Sequence, residues 1–319
     1  MLKRLRGNHP VVFCILCEVV FLASLFVGGT VLTLVLLFAG ADLAALDEYL
    51  ITILQEAVGA LVAVLILRRT RRTGVLGRRG CGFFNGLLVG MYPLVIIGFS
   101  AFNALAGEKP DLPLKPAGQI VTFLAGMMMV GVAEEFIFRG VIAQTLLEHY
   151  GTSRRGVWTA CILSGILFGG AHLTNLLASA PLGVLMQCVF AASLGTLFAA
   201  IYFRTGNIWV TVFLHGCMDI TSMLIGGLYG TTTVADSVST YDISMLASLA
   251  VYLIPTAFLL RKSRLGEVEL YSGGIPKNKD TGQKTPCFLT GVLLYYICYR
   301  GTGLGVCPLV GMPFPAAVP

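Results

Sequence analysis

Long apolar stretches alternate with short polar connections along most of the chain. Eight of these stretches approach or exceed the ~20 apolar residues that an α-helix needs to cross a bilayer. Their limits are roughly 11–39, 49–67, 82–106, 117–147, 157–177, 182–203, 207–226 and 243–260. The pattern therefore predicts an all-α fold, a polytopic transmembrane helical bundle with about eight spanning helices.

The polar connections differ in charge from one side of this predicted bundle to the other. One set of connections contains most of the Lys and Arg residues, including the run RRTRRTGVLGRR at 68–79. The alternate set is mainly acidic, with Lys109 and Lys115 as its basic residues. Because basic connections tend to remain in the cytoplasm, we predict a multi-pass protein with a cytoplasmic N-terminus.

This topology also accounts for the net charge of +6. Basic residues beside membrane helices interact with anionic lipid, so the lipid bilayer is their expected partner. The run at 68–79 has the composition of a nucleic-acid-binding patch. Since it directly follows an apolar stretch, we interpret it as a cytoplasmic loop, and no nucleic-acid partner is expected.

The composition excludes a soluble globular protein. Hydrophobic residues make up 56% of the 319 residues and charged residues 12%, and the mean hydropathy is +0.84. A soluble domain of this length needs far more polar surface. The nine cysteines are scattered, and Cys14 and Cys17 form a C-x-x-C motif inside the first predicted helix. We interpret them as small apolar residues, without a disulfide framework or a zinc site.

The two ends of the chain differ from the predicted bundle. The N-terminal MLKRLRGNHP is basic like the start of a signal peptide, but the next apolar stretch exceeds the about 7–15 residues of a signal core. We predict an uncleaved first helix, with cleavage at FAGA, 38–41, as the alternative. Residues 265–319 begin with a polar segment rich in Gly, Lys and Pro, which predicts a flexible tail.

Ionisable residues are costly inside membrane helices and usually face the bundle interior or a cavity. Those within the predicted spans are few: Glu18, Glu56, Glu134, Glu135, Arg139, His172, His215 and Asp219. We interpret Glu18 and Glu56 as structural residues near polar helix contacts. The other six fall in three short motifs and are the candidates for chemistry.

The first motif is AEEFIFRG, residues 133–140. Glu135 and Arg139 are four residues apart, so they share a helix face and can neutralise each other. Glu134 points about 100° away from Glu135 on an α-helix and lacks that partner. Because a carboxylate in a dry, polar-lined cavity can act as a general base, Glu134 is the candidate for that role.

The second and third motifs each contain one histidine. FGGAH, 168–172, places Phe168 one turn before His172, and its two glycines let another helix approach closely. HGCMD, 215–219, places His215 and Asp219 four residues apart, so imidazole and carboxylate can converge on one metal ion or one water. Together with Glu134, these residues form a candidate divalent-metal hydrolase site.

Each motif also has a purely structural interpretation. Glu135 and Arg139 can be a structural ion pair, and His172 can hydrogen-bond a carbonyl across a helix interface. His215 and Asp219 can be an intrahelical pair. The ordered combination of all three motifs on three predicted helices favours a functional site.

The order E-E-x-x-x-R, F-x-x-x-H, H-x-x-x-D resembles the CPBP family of CAAX proteases and bacteriocin-processing proteins. The resemblance covers about residues 115–225, where the segments EEFIFRG, LFGGAHLTN and TGNIWVTVFLHGCMD are similar to bacterial members. It implies an intramembrane metalloendopeptidase, a hydrolase that acts on peptide or protein substrates in a bacterial plasma membrane. The matching positions are Glu134, Glu135, Arg139, Phe168, His172, His215 and Asp219.

The resemblance also implies a role for each of these residues. Glu134 would be the base that activates water for attack on a peptide carbonyl. His172 and His215 would bind the metal or the water, and Asp219 would complete the site. The supporting residues would be Glu135, Arg139 and Phe168.

The expected cofactor is a divalent metal, zinc first, with His172, His215 and Asp219 as its ligands. In the family the last motif often ends in Asn, which can donate a hydrogen bond to an oxyanion. An ionised Asp219 cannot donate one. Its presence favours a metal-ligand or histidine-orienting role over an oxyanion-hole role.

The leading hypothesis is thus an intramembrane endopeptidase for membrane-associated, CAAX-like or bacteriocin-like peptides. The alternatives are a non-catalytic scaffold or bacteriocin self-immunity protein, and a secondary transporter that uses the buried charges for proton coupling. The predicted division of the chain is 1–114, N-terminal helices and a basic loop; 115–226, catalytic core; 227–264, last transmembrane helix; and 265–319, flexible tail.

The depth of the site raises a difficulty for this hypothesis. The predicted helix limits place Glu134 near the inner end of its helix and His172 near the outer end of its own. At about 1.5 Å per residue, the two side chains would lie too far apart if the helices were straight and upright. We therefore expect tilted helices, a break near Gly140, or a later start of the fourth helix.

Overall fold

The computed structural model of the protein describes residues 2–42 and 46–272. Within these ranges all regular structure is helical, which confirms the predicted all-α class. The α-helices are α1 Leu2–Asn8, α2 Pro10–Phe38, α3 Glu48–Arg69, α4 Gly74–Gly77, α5 Phe83–Val89, α6 Met91–Ala106, α7 Ala117–Glu135, α8 Gln144–Tyr150, α9 Arg154–Ala171, α10 Pro181–Thr205, α11 Ile208–Ser222, α12 Leu224–Tyr229, α13 Val234–Ser239, α14 Ala247–Leu259 and α15 Leu265–Ser272.

The number of membrane-spanning helices agrees roughly with the predicted eight. In the described ranges, five helical segments are long and apolar enough to cross a membrane, and up to seven if each of two bent pairs counts as one span. The apolar α11 has only 15 residues. The helix geometry does not say which end faces the cytoplasm, so the orientation stays a prediction.

The third predicted span, 82–106, is not one straight helix. It breaks at Gly90 into α5 and α6, which are bent by 81° relative to each other. A Cβ added at Gly90 would lie 2.6 Å from Leu214 Cδ1, so the glycine leaves space for this side chain of α11. Sharp kinks in helices commonly occur at such glycines.

The fourth predicted span is a continuous helical segment of 34 residues, Ala117–Tyr150. Between α7 and α8 it contains a π-helix, Phe136–Ala143, a rare conformation that often occurs at functional sites. The expected break near Gly140 thus takes the form of a π-helix, and no later start is found.

The length of this segment resolves the depth difficulty. A 34-residue helix is about 51 Å long, more than the ~30 Å of the hydrocarbon core, so it has to tilt or protrude. Glu134 lies near the midpoint of this segment, Ala117–Tyr150. The 18-residue α9 is much shorter, and His172 follows directly at its end. The middle of one helix and the end of the other can then lie at one depth.

Helix α10 lies at the centre of the core. Its second half, from Ser193 to Thr205, is buried on every side. Close packing against α9 depends on small residues, because a Cβ at Gly169 would lie 2.5 Å from the Cys188 carbonyl oxygen. This confirms the close approach predicted for the FGGAH motif at Gly169. Gly170 faces open space, with no atom near its added Cβ in the described structure.

A second close approach, between α7 and α11, brings two of the three motifs together. A Cβ at Gly131 would lie 2.9 Å from both the Gly216 nitrogen and the Val212 carbonyl oxygen. Gly216 in turn lies against the backbone of Met128. Because the two backbones touch here, the side chains of Glu134 and Glu135 on α7 reach His215 on α11.

We expect Gly131→Ala to destabilise the protein by about 1–3 kcal/mol, because the added methyl group would push α11 away from α7. Thermal unfolding of the purified protein in detergent measures this effect. Gly98→Ala in α6 is the matched control, since a Cβ there meets no atom within 4 Å. The account of this crossing is wrong if the two variants unfold at the same temperature.

Polar contacts join the helix ends on the basic side of the bundle. Arg72 pairs with Glu148, and Arg204 Nε donates to Glu267 Oε2 at 2.9 Å. Glu267 belongs to α15, which forms the first eight residues of the predicted tail. The buried side chain of Val268 holds this helix against the bundle. The remainder of the predicted tail, 273–319, lies outside the described residues.

A short connection between α11 and α14 covers the beginning of α10 on the other side. Its helix α13 starts with a capping box in which Thr233 and Asp236 bond to each other. Hydrogen bonds donated by the backbone N–H and hydroxyl of Thr233 lower the pKa of Asp236 below its ordinary value. The Ser179 hydroxyl donates to the Ala235 carbonyl at 3.2 Å, which fixes α13 beside the site described next.

Candidate active site

The predicted catalytic residues meet at one internal cavity of about 370 Å³. Residues from α2, α3, α7, α9, α10, α11 and α13 line it, together with residues of the π-helix and of the short segments that follow α9 and α13. The apolar walls come largely from Phe, Leu and Met side chains. The charged and titratable side chains on the walls are Glu56, Glu134, His172, His215, Asp219 and Tyr241.

The cavity reaches the end of the bundle that carries few basic residues. Thr174 and Asn175 line it just past the end of α9, and Ser222 lines it at the end of α11. Both helices start next to basic connections at their other ends. An amide pair lies on the cavity wall, where Asn175 Nδ2 donates to Gln187 Oε1 at 2.8 Å. Polar side chains therefore line the cavity both here and around Glu134.

Glu134 lies on the cavity wall, close to the imidazole from the third motif. Its Oε2 is 3.5 Å from His215 Nε2. That separation is longer than a good N–H···O hydrogen bond, and one water can contact both atoms. The side chain is one-fifth exposed, so its carboxylate remains accessible from the cavity. The expected independence of Glu134 from Arg139 agrees with this geometry.

Glu135 points away from the cavity and is fully buried. Its Oε2 contacts Arg139 Nε at 2.9 Å, as the four-residue spacing predicts. Its Oε1 accepts a hydrogen bond of 2.9 Å from His215 Nδ1. A supporting role for Glu135 is predicted from the sequence, but its contact with His215 is not, because the two residues are 80 positions apart.

Arg139 is the largest fully buried side chain of the described structure. Apart from its contact with Glu135, its guanidinium carbon lies 5.0 Å from the ring centre of Phe168 and 5.7 Å from that of Phe198. Cation–π contacts in this range stabilise a desolvated guanidinium. Arg139 does not line the cavity. It is therefore placed to hold Glu135 rather than to meet a substrate.

Phe168 is the packing centre of the site. Its ring makes edge contacts with His172 at 5.1 Å and with His215 at 5.6 Å between ring centres. On its other side it contacts Phe138 at 4.9 Å and supports Arg139. The predicted supporting position of Phe168 thus has a clear geometric basis, because one ring fixes both imidazoles.

His172 is oriented by its own helix. Its Nδ1 lies 2.9 Å from the carbonyl oxygen of Phe168. Since a carbonyl oxygen only accepts, Nδ1 must carry the proton, and a neutral His172 then has its lone pair on Nε2. The predicted carbonyl contact is present, although it lies within one helical turn rather than across a helix interface.

Asp219 completes the group on the α11 face. Its Oδ2 lies 3.5 Å from His215 Nε2, on the side of the imidazole opposite the bond to Glu135. Within the described part of the chain, this oxygen has no hydrogen-bond partner. The spacing of four residues therefore brings the two groups together, and a water or a substrate atom beside them can contact both.

These residue types are suitable metal ligands, but their positions in space do not form a metal site. Both histidines have Nδ1 bound to an acceptor, and the free Nε2 is the usual result in metal-binding histidines. Among residues 2–42 and 46–272, however, no group of three or more His, Cys, Asp or Glu side chains is arranged to hold one ion. The divalent metal remains a prediction, and no reaction step below depends on it.

Glu56 of α3 lines the cavity, although the sequence predicts a structural role for it. Its side chain lines the same cavity as Glu134 and Asp219, and their charges act on it. Because α3 lies about 80 residues before the motifs, no local spacing relates Glu56 to them. Only one feature of the sequence pointed to the cavity. A carboxylate inside a membrane helix is energetically costly, and such residues usually face a cavity.

Comparison with known proteins agrees with the resemblance drawn from the motifs. The family model described as "Type II CAAX prenyl endopeptidase Rce1-like" matches residues 116–221, about a third of the chain. This segment contains all seven predicted site residues. No curated protein and no solved structure matches the chain significantly.

The match and the apolar helices together indicate an integral, multi-pass membrane protein. A family of endopeptidases also supports a protease, and therefore a peptide or protein substrate. Residues 116–221 are thus similar to the Rce1-like type II CAAX prenyl endopeptidases, in agreement with the resemblance of the three motifs to the CAAX proteases of the CPBP family.

Proposed function

We propose that the protein is an intramembrane endopeptidase in which Glu134 activates the attacking water. The substrates we propose are membrane-associated peptides, either CAAX-like or bacteriocin-like. One observation carries the proposal: Glu134 of α7, His172 at the end of α9, and His215 and Asp219 of α11 line a single cavity.

The proposed reaction begins with a water held between Glu134 Oε2 and His215 Nε2, which are 3.5 Å apart. Glu134 removes a proton while the water oxygen attacks the carbonyl carbon of the scissile bond, and the carbonyl electron pair moves to its oxygen. When this intermediate collapses, the C–N bond breaks and Glu134 returns the proton to the leaving amine. The products are a new carboxylate and a new amine.

The remaining residues of the site orient this chemistry. The hydrogen bond from Nδ1 to Glu135 fixes the ring of His215, so that Nε2 points toward Glu134 and Asp219. Arg139 holds Glu135 in turn. We propose that His172 contacts the scissile carbonyl or the water from its free Nε2. Because the site is shielded from bulk water, each of these polar contacts acts strongly.

We expect purified protein in liposomes to cleave membrane-inserted peptides, and expect His215→Ala to lower kcat/KM by about 10²-fold or more. His172→Ala and Asp219→Ala should also lose activity, because each removes a polar group from the cavity wall. Cleavage is measured by mass spectrometry of the peptide products. Ser153→Ala, at an exposed helix start beside the basic connection, is the control that should retain activity.

A chelator arm tests the divalent metal separately. Loss of cleavage after chelation, with recovery on addition of zinc, would support His172, His215 and Asp219 as ligands. Full activity in chelator would remove the metal from the proposal and leave the Glu134 reaction intact.

The alternatives predict different results. A scaffold or self-immunity protein predicts no cleavage by wild type under any condition. A proton-coupled transporter predicts flux driven by a pH gradient with the peptide intact.

A further inference from the structure

We infer that Glu56 is a specificity residue, which selects peptides that carry a positively charged side chain next to the scissile bond. The inference rests on the proposed endopeptidase function of the cavity. It concerns a residue of α3, outside the segment that matches the family.

The first argument is the position of Glu56. Its side chain lines the cavity together with Glu134 and Asp219, and it lies within range of their charges and that of His215. Helix α3 packs along α7, so Glu56 faces the cavity from a helix that carries none of the three motifs. A peptide bound next to Glu134 in this cavity would therefore come within reach of Glu56.

One carboxylate oxygen of Glu56 has no hydrogen-bond partner among the described residues. This atom, Oε2, is also shielded from solvent. Leaving a carboxylate unpaired in this way is costly in a protein interior. Such residues within membrane segments commonly mark the path of a substrate or an ion. The missing partner can be supplied by the substrate.

The third argument is the charge balance of the cavity. Three carboxylates line it, Glu56, Glu134 and Asp219, and no Lys or Arg does so in the described structure. Arg139, the nearest buried guanidinium, is already bound to Glu135 behind the wall. His215 lies between Glu134 and Asp219 and can offset their charge in part. No Lys or Arg side chain on the described cavity wall is placed to pair with Glu56, and a cleft lined by groups of one sign attracts the opposite sign.

A Lys or Arg side chain is the chemistry that meets these conditions. Its ammonium or guanidinium group can pair with Glu56, while its apolar stem lies against the Phe and Leu side chains of the walls. A neutral residue of the same length would fill the space but leave Glu56 unpaired. Leaving the carboxylate unpaired costs binding free energy with the neutral peptide but not with the Lys or Arg peptide. This difference favours the positively charged peptide.

Paired peptides that differ only in Lys against norleucine, placed in turn at each position around the scissile bond, test the inference. We expect wild type to favour the Lys peptide at one position by about tenfold in kcat/KM. In Glu56→Gln that ratio should fall to near one, whereas Glu56→Asp should retain most of it. Glu18→Gln is the matched control, because Glu18 is a buried membrane glutamate on α2 that does not line the cavity.

A binding measurement separates this inference from the endopeptidase proposal. Fluorescently labelled forms of the same peptides are titrated against the Glu134→Gln variant, where the Lys peptide should bind about tenfold more tightly. Adding Glu56→Gln should remove the difference in Kd. A ratio near one in wild type and in the binding assay overturns the inference, even if cleavage is observed. The inference is also wrong if Glu56→Gln lowers kcat/KM equally for the Lys and the norleucine peptide. The ratio of Kd values tests the inference whether or not the protein cleaves the peptides.

Discussion

Replacement of Glu134 by Gln is expected to lower kcat/KM for peptide cleavage by about 10²–10⁴-fold, the usual contribution of a general base. Glutamine has nearly the shape of glutamate but cannot take a proton from water. The neighbouring contact to His215 Nε2, 3.5 Å away, involves no hydrogen bond that the amide would have to replace. The loss should therefore appear in the rate of cleavage, with little change in the unfolding temperature.

Glu18→Gln gives the matched comparison for this result. Glu18 is also a buried glutamate in a membrane helix, and it does not line the cavity. It should cleave at the wild-type rate. If Glu134→Gln retains more than about a tenth of the wild-type rate, Glu134 is not the base. If both variants lose activity together, the effect is general to buried charges.

The second large effect is expected from Arg139→Met. This change removes the partner of a fully buried carboxylate and should destabilise the protein by about 3–5 kcal/mol. The contacts of the guanidinium with Phe168 and Phe198 are lost as well. Denaturant-induced unfolding in detergent micelles measures the change. Arg155→Met, on the exposed start of α9, should change the stability little.

The double variant Glu135→Gln, Arg139→Met separates the ion pair from simple loss of packing. If the buried pair is the cause, the double variant should be more stable than the sum of the two single changes predicts, by about 0.5–3 kcal/mol. Additive effects would show that Glu135 and Arg139 stabilise the protein independently. They would also remove Arg139 from the chain of contacts that fixes His215.

The positions of the membrane helices could be predicted well from hydropathy, because a spanning helix needs about 20 apolar residues wherever it lies. The first, second and sixth predicted spans agree with α2, α3 and α10 to within a few residues. The bend at Gly90 could not be predicted, because an apolar stretch looks the same whether it is straight or broken. The break lies at Gly90, which packs against Leu214 of another helix, and such a contact leaves no local signal in the sequence.

The candidate site was predicted where the spacing within one helix was informative. Glu135 with Arg139, and His215 with Asp219, are each four residues apart and are in contact. Contacts between different helices could not be predicted from the spacing of residues within one helix. The bond between Glu135 and His215 depends on the close approach at Gly131, and Glu56 reaches the cavity from α3. Long-range packing of this kind leaves no periodic signal in a single sequence.

The depth of the site shows a further limit. Straight helices of equal length would have separated Glu134 from His172, and the sequence pointed to tilt, a break or different helix ends. The structure combines a 34-residue helical segment with a much shorter α9. A break near Gly140 was among the expectations, but its form, a π-helix from Phe136 to Ala143, was not, because no residue pattern in this segment distinguishes a π-helix from another break.

The most direct test of the account is peptide hydrolysis in water enriched in ¹⁸O, with wild type and Glu134→Gln compared side by side. The purified proteins are placed in liposomes with a membrane-inserted peptide, and the products are identified by mass spectrometry. The account predicts that wild type yields a new C-terminal carboxyl carrying one ¹⁸O atom, and that Glu134→Gln yields almost none. Equal labelled product from both proteins, or an intact peptide with active wild-type preparations of confirmed fold, would contradict the central claim.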